Sequence, residues 1–121
     1  MKLIIPGRLP GLNDYTKACR ANPCAGADMK KDGEKLVTAY IRKQLRGAKV
    51  KAPVTIKFSW YEKDARRDPD NISGFGRKVI LDALVRAGVL PDDSMKWVGD
   101  LSDHFEVDKK NPRIEVEIKE E

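Results

Sequence analysis

The sequence has no long hydrophobic run and no glycine-rich phosphate-binding loop. Its apolar runs are only a handful of residues long, far below the roughly 20 residues that a membrane helix needs, so we expect no membrane protein. Pro6 and Gly7 stand where a signal peptide requires an apolar stretch, which predicts a cytoplasmic protein without a secretory segment. Without a Gly-rich loop the sequence disfavours a nucleotide enzyme, and we expect no nucleotide cofactor.

Metal-binding cysteine and histidine are also scarce. The chain has two cysteines, Cys19 and Cys24, and one histidine, His104. Because a structural zinc ion usually takes four Cys or His ligands, a zinc site would have to recruit a carboxylate as well. The sequence therefore predicts two reduced thiols and leaves their role open.

Charge, by contrast, is abundant and unevenly distributed. Charged residues make up 36% of the 121-residue chain, against about 25% in a typical domain. Residues 1–67 contain 16 Lys and Arg against 6 Asp and Glu, whereas residues 68–121 contain 8 against 13. This asymmetry indicates a basic face for a polyanion beside a carboxylate cluster, and the alternative is a solvated basic surface with an acidic tail. The length predicts a single domain over residues 1–121.

The first half of the chain predicts a strand, a loop and a basic helix. Lys2–Pro6 is short and β-branched, which is typical of a strand, whereas Arg8–Ala27 contains several Pro and Gly residues and predicts a long loop. Asp28 can cap a helix that continues to Gly47. Its apolar residues recur at helical spacing, and its opposite face is cationic: Lys31, Lys35, Arg42, Lys43 and Arg46.

The second half predicts a further helix among strands. Pro53–Glu62 and Arg113–Lys119 alternate as half-buried strands do, and a helix is expected from about Phe75 to Gly88. Two short extended pieces, 96–101 and 104–107, precede the last strand. We therefore predict an α+β fold, with a mixed β-sheet, two helices packed on one face and the order β-α-β-α-β-β.

Two carboxylates flank a proline between the central strand and the second helix. Pro69 favours extended backbone at Asp68, and residues two apart in an extended segment project to the same side, so Asp68 and Asp70 converge. Such a pair suits Mg²⁺ or Mn²⁺, which bind carboxylates, water and phosphate oxygens. The alternative is a helix start at which Asp70 or Asn71 caps and Asp68 complements the dipole.

Several nearby residues strengthen the metal hypothesis. The helix that leads away from this pair could return Asp93 towards it, although Asp92-Asp93 also suits a simple turn. Lys78 can neutralise charge on a phosphate, or can merely pair with Asp82 four residues later. Arg66 and Arg67 can bind phosphate in bidentate fashion. Carboxylates for a metal, flanked by cations for phosphate, are what metal-assisted phosphodiester hydrolysis requires.

The stretch from Asp68 to about Trp97 resembles the RusA family of Holliday junction resolvases. The shared pattern is D-x-D-N at Asp68–Asn71, a following Lys, D-A-L at Asp82–Leu84, A-G at Ala87-Gly88 and a closing D-D at Asp92-Asp93. The resemblance implies a homodimer of mixed α/β fold that cuts four-way DNA junctions in recombination and repair. It also implies Mg²⁺ bound by Asp68, Asp70 and Asp93, with Lys78 as the essential cation. Residues 73–76 form an insertion relative to the family pattern and leave Arg77 as the alternative to Lys78.

The residues and the resemblance together predict a Mg²⁺-dependent, structure-selective endodeoxyribonuclease. Branched DNA is the expected partner, and the expected DNA-contacting residues are Arg66, Arg67, Asn71, Lys31, Lys35 and Arg42. Two other classes remain open. One is a DNA-binding module whose acidic cluster is structural, and the other is a D-x-D phosphotransferase or nucleotide enzyme.

Overall fold

The computed structural model describes residues 1–121, which form three helices and four strands. In chain order these are β1 (Lys2–Pro6), α1 (Leu12–Ala21), α2 (Pro23–Gln44), β2 (Val54–Glu62), α3 (Pro69–Arg86), β3 (Val98–Val107) and β4 (Arg113–Glu120). The strands form one sheet in the order β1-β4-β2-β3, in which β4 is antiparallel to both neighbours and β3 is parallel to β2. The predicted α+β class with a mixed sheet is confirmed.

One face of the sheet carries the hydrophobic core. Alternate residues of β1, β2 and β4 are almost fully buried, as the period of two requires: Leu3, Ile5, Val54, Ile56, Phe58, Trp60, Ile114, Val116 and Ile118. α3 lies against this face, since Gly76 packs on the ring of Trp60. α2 contacts both α3 and β1. None of the three helices combines the length and the hydropathy that crossing a bilayer requires.

The predicted loop over Arg8–Ala27 is wrong, because it contains α1 and the start of α2. Gly11 precedes α1, and the Asp14 carboxylate accepts a hydrogen bond from the Gly11 N–H at 2.9 Å. Asn22 then caps α2 in place of Asp28, since its side chain accepts from the Cys24 N–H at 2.8 Å. Pro23 occupies the first helical position, where proline favours a helix because its missing N–H would have no partner there. The chain therefore has three helices where two were predicted.

Two further boundaries differ from the prediction. α3 begins at Pro69 and not near Phe75, because Asp68 caps it and because Gly74 and Gly76 serve as close packing positions against Leu12 and Trp60. The two extended pieces after residue 95 form one continuous strand, β3, which pairs along the whole of β2 with a register shift at its first residue pair.

Candidate active site

Asp68 both caps α3 and keeps one oxygen available. Its backbone is extended (φ −76°, ψ 164°), and its Oδ1 accepts the Asn71 N–H at 2.9 Å. This is an ordinary N-cap, although the helix-start alternative for the D-x-D motif placed the cap at Asp70 or Asn71 and is wrong on that point. Asp68 is nevertheless exposed, and its Oδ2 has no partner within the chain. The cap and a metal contact are therefore compatible at this residue.

Asp70 lies in the first turn of α3 and is free of internal contacts. It is exposed and makes neither a hydrogen bond nor an ion pair within the chain. The N–H groups at a helix start favour negative charge, so a carboxylate is an expected residue type at this position. Asp68 and Asp70 together offer at least three carboxylate oxygens at one exposed helix end.

Asp93 lies in the segment between α3 and β3, and its carboxylate is beside Lys78. Its Oδ2 is 3.4 Å from Lys78 Nζ, and Lys78 is eight residues beyond Asp70, about 12 Å along a helix axis. The chain contains no group of three Asp, Glu, His or Cys side chains placed to hold one metal ion. The structure thus brings Asp93 to Lys78 and not to the pair at the helix start, and its role as a third ligand stays a prediction.

Lys78 is a protonated and accessible cation. Its Nζ lies 3.1 Å from Asp82 Oδ1, and its side chain is 58% exposed. The hydrogen bond from Lys78 to Asp82 raises the pKa of the ammonium above its ordinary value of 10.5, and Asp93 adds to the effect. Asp82 also pairs with Lys30 of α2 at 3.1 Å. Lys30 and Lys78 therefore share the carboxylate of Asp82.

Arg77, the alternative essential cation, points to the sheet instead. Its guanidinium pairs with Asp103 of β3, which also accepts the Trp60 indole N–H at 2.9 Å. Arg77 Nε is buried without a partner. The extra residues 73–76 therefore leave Lys78, and not Arg77, on the exposed side of α3 beside Asp93.

Arg66 and Arg67 have opposite environments although they are adjacent. Arg66 is 88% exposed and lies 3.7 Å from Asp64. Arg67 is only 11% exposed, donates to both oxygens of the buried Glu62 at 2.8 and 3.0 Å, and also donates to the Leu9 C=O. Arg66 is accessible, and its DNA contact stays a prediction. The guanidinium of Arg67 is occupied within the chain and anchors the segment that precedes Asp68, which does not favour the DNA contact predicted for it.

Asn71 joins α1 to α3. Its Oδ1 accepts the Asn13 N–H at 2.8 Å, so the side chain satisfies an N–H at the start of α1.

The predicted DNA contacts on α2, in contrast, have no such partners: Lys31, Lys35 and Arg42 are exposed and form no ion pair. Sequence analysis missed Arg86, which the packing of α3 places beside Lys35 and Arg42. No sequence signal predicts this position of Arg86, because the three residues become neighbours only through the contact between α2 and α3.

Comparison with known families decides the class. The family model described as Endodeoxyribonuclease RusA matches residues 24–119. The chain belongs to the RusA endodeoxyribonuclease family. A search of curated proteins finds no match.

RusA membership confirms the predicted class, a nuclease that cuts within DNA. The matched span runs from α2 to β4 and includes the carboxylates Asp68, Asp70 and Asp93 together with Lys78. Most of the region before it is β1 and α1. These elements are integral to the RusA domain of this chain, since β1 completes the sheet beside β4 and α1 is held to the start of α3 by Asn71.

Proposed function

We propose that this RusA-family nuclease resolves four-way DNA junctions in recombination and repair, and that it depends on Mg²⁺, for which Mn²⁺ substitutes. The observation that carries the proposal is the pair of exposed aspartates at the start of α3, Asp68 and Asp70, with a protonated lysine on the same helix.

The donor set at the helix start fits a hard cation in part. Mg²⁺ keeps several waters and binds through one or two carboxylates plus phosphate oxygens, which Asp68 and Asp70 allow. When bound, the ion would supply an activated water and polarise the scissile phosphate. Asp93 is proposed as a further ligand, which requires that it leave Lys78, and a side chain 32% exposed with one flexible partner permits that exchange.

The cations supply the remaining chemistry. Lys78 stays protonated at neutral pH and can neutralise charge that builds on the phosphate or on its leaving oxygen. Arg66 and the exposed α2 residues Lys31, Lys35 and Arg42 hold the phosphate backbones of the arms. Arg67 and Glu62 fix the backbone before Asp68, so that the aspartate pair is presented on a rigid support.

A homodimer through the outer edge of β3 is part of this proposal, since two-fold symmetric junctions need two matched cuts. The sheet has two edges that differ in protection. At β1, the Gln44 side-chain amide both donates to and accepts from the Ile4 backbone, at 2.7 and 2.8 Å, and so covers that edge. Nothing pairs with the outer edge of β3 over its ten residues, and such an edge is a template for another strand.

The residues of β3 also define a self-complementary register. The Asp108 N–H bonds to the Glu62 C=O, so by alternation Leu101, Asp103, Phe105 and Val107 direct their N–H and C=O groups outward. An antiparallel pair of β3 strands centred on Phe105 would extend over residues 103–107 of each copy and would place His104 opposite Glu106, two side chains that can hydrogen-bond. Phe105 lines the same cleft as Asp68, about 360 Å³ in volume, so the two sites would lie near the symmetry axis.

The test is cleavage of a synthetic four-way junction beside a linear duplex of the same sequence, each with Mg²⁺ and with chelator. We expect paired nicks in the junction with Mg²⁺, little cleavage of the duplex, and none with chelator. Tight junction binding without cleavage under every divalent ion would favour the non-catalytic DNA-binding alternative. Cleavage that persists in chelator would remove the metal from the proposal.

A further inference from the structure

A small basic notch lies where the second half of α2 passes the end of α3. Its volume is about 250 Å³, and it is lined by Lys35, Thr38, Ala39, Arg42 and Arg86. Lys35, Thr38 and Arg42 follow one stripe of α2, at spacings of three and four residues. Arg86 reaches the same place from the last turn of α3. We call this feature the α2–α3 notch.

The three cations of the notch have no acidic partner. Lys35, Arg42 and Arg86 form no ion pair or hydrogen bond within the chain, and no Asp or Glu lines the notch. Two other cations of the same helices, Lys30 and Lys78, are paired with Asp82. Because like charges placed close together repel, three converging cations favour the binding of an anion.

A buried hydroxyl in the same notch also lacks a partner. Thr38 is 6% exposed, and its Oγ1 forms no hydrogen bond. A threonine within a helix ordinarily donates to a carbonyl of the preceding turn, which would leave nothing for a ligand. Here Thr38 lines the same notch as the three cationic residues, and its hydroxyl has no carbonyl partner and can donate to a bound oxygen.

We propose that the α2–α3 notch binds one backbone phosphate of a duplex arm, at a distance from the aspartate pair. Two arginines and a lysine around a hydroxyl donor match a phosphate, because guanidinium groups bind its oxygens in bidentate fashion. Arg86 is sixteen residues beyond Asp70 on α3, about 24 Å along the helix axis. At about 3.4 Å per nucleotide along one strand, this corresponds to roughly seven nucleotides from the cut. The inference rests on the proposed DNA substrate.

The first test measures junction binding in chelator, so that no cleavage occurs, for arms of about 15 and about 4 base pairs. Arg42→Ala/Arg86→Ala should weaken binding to the long-armed junction about tenfold or more, and should reduce the salt slope by about 0.9 for each phosphate lost. The short-armed junction should bind the wild type and the variant alike. Lys43→Ala/Arg46→Ala removes two exposed cations of the same region outside the notch and is the matched control.

The second test uses the hydroxyl. Thr38→Val keeps the shape and removes an unpaired buried donor, so the melting temperature should rise while long-arm affinity falls. Thr38→Ser should restore the affinity. If Thr38→Val leaves affinity unchanged, or if the control pair loses as much as the notch pair, the notch is not a specific phosphate site.

These outcomes separate the notch from the proposed function. A wild type that fails to cut junctions with Mg²⁺ contradicts the resolvase proposal, whereas the arm-length effect in chelator tests the notch without any cleavage. Inorganic phosphate alone distinguishes the source of the ligand. Suppose that about 20 mM inorganic phosphate raises the melting temperature of the wild type more than that of the notch variant, while arm length has no effect on junction affinity. The notch then binds free phosphate, and the DNA assignment is overturned.

Discussion

Adjacent residues of this chain have different environments, because a helix turns 100° per residue and a loop can change direction from one residue to the next. Arg77 pairs with Asp103 on the sheet, whereas Lys78 is exposed beside Asp93. Arg67 is buried against Glu62, whereas Arg66 reaches solvent. At the residue scale, therefore, equal charge does not imply equal function, and each cation has its own expected mutant phenotype.

Asp70 is expected to act in catalysis without supporting the fold. Asp70→Asn should lower the junction cleavage rate by at least about a hundredfold while binding in chelator and melting temperature stay unchanged, because the side chain has no internal partner. Gel-shift, cleavage and thermal unfolding assays measure the three quantities. Equal losses of binding and cleavage would assign Asp70 a structural role.

Asp68 should show a separable double role. Asp68→Asn keeps a good N-cap and should lose only cleavage, whereas Asp68→Ala should in addition lose about 1 kcal/mol of folding stability. Chemical denaturation distinguishes the two variants. Identical stabilities would show that the cap contributes nothing.

Lys78 and Arg77 should differ in the same experiment. Lys78→Ala should reduce the cleavage rate about a hundredfold with a small effect on affinity, because its partner is charge that develops in the transition state. Arg77→Ala should mainly lower the melting temperature, because it leaves the half-buried Asp103 with one partner fewer. Single-turnover kinetics measures the cleavage rate of both variants, and unfolding curves measure their melting temperatures. If Arg77→Ala loses cleavage and Lys78→Ala loses stability, Arg77 is the essential cation.

At the scale of elements, α3 connects the core to the site. It begins at the Asp68 cap, packs on Trp60 through Gly76, and exposes Lys78 and Asp70 on its other side. The glycines of α3 therefore occupy positions at which a neighbouring side chain packs closely against the helix. Gly76 faces the core ring, and Gly74 faces the exposed side chain of Leu12.

Substitutions at these glycines test that difference. A Cβ at Gly76 would lie 3.0 Å from the ring of Trp60, which is 1% exposed and has no room to move, so Gly76→Ala should destabilise by about 1–3 kcal/mol. Gly74→Ala meets only the movable Leu12 and gains helix propensity, so its effect should be near neutral. Urea unfolding measures both, and equal effects would show that packing at Trp60 is loose.

The open face of the sheet holds an ion network whose contribution depends on pH. Arg113 donates to Asp108 at 2.9 Å and to Glu115 at 2.6 Å. The hydrogen bond from Arg113 lowers the pKa of Asp108, and Lys2 followed by Arg113 lowers the pKa of Glu115. A lowered folded-state pKa gives stability that is present above the ordinary values of 3.8 and 4.5 and is lost as the pH falls through the folded values.

Arg113→Met should therefore lower the melting temperature at pH 7, and its difference from the wild type should narrow as the pH falls below about 4. Part of the difference should persist, because Arg113 also lies 3.9 Å from the centre of the Tyr61 ring. Lys119→Met removes an unpaired cation of the same strand and is the control. A difference independent of pH would show that the network contributes through packing alone.

At the scale of the whole molecule, the two sheet edges predict how chains associate. In the proposed register Val107 lies opposite Asp103 of a second copy, so Val107→Asp should repel and Val107→Lys should be tolerated. Val107 is 46% exposed, which makes the fold insensitive to either change. Ile4→Asp on the covered β1 edge should have no effect on association.

Analytical ultracentrifugation with junction cleavage checks this prediction. Val107→Asp should sediment as a monomer and nick one strand without the paired second cut. A dimeric Val107→Asp variant would place the interface elsewhere.

The sequence by itself determined the elements whose signals are local. The period of two in β2 and β4, the family pattern from Asp68 to Trp97 and the excess of cations before residue 68 were sufficient for the fold class and the family. Local signals do not predict α1 or the starts of α2 and α3, because proline and glycine usually interrupt helices. In the structure Pro23 and Pro69 begin helices, and Gly74 and Gly76 provide close packing.

Only the tertiary structure decided which charged residues meet. Arg67 and Glu62 are buried together, Asp93 lies against Lys78 at a distance from Asp68, and Arg86 joins Lys35 and Arg42. Local periodicity assigns a residue to a face, but the crossing of two helices and the return of a loop determine which faces touch. The physical reason is that close packing of the core around Trp60 fixes how the helices cross. The positions of the charged side chains on the surface then follow from those crossings.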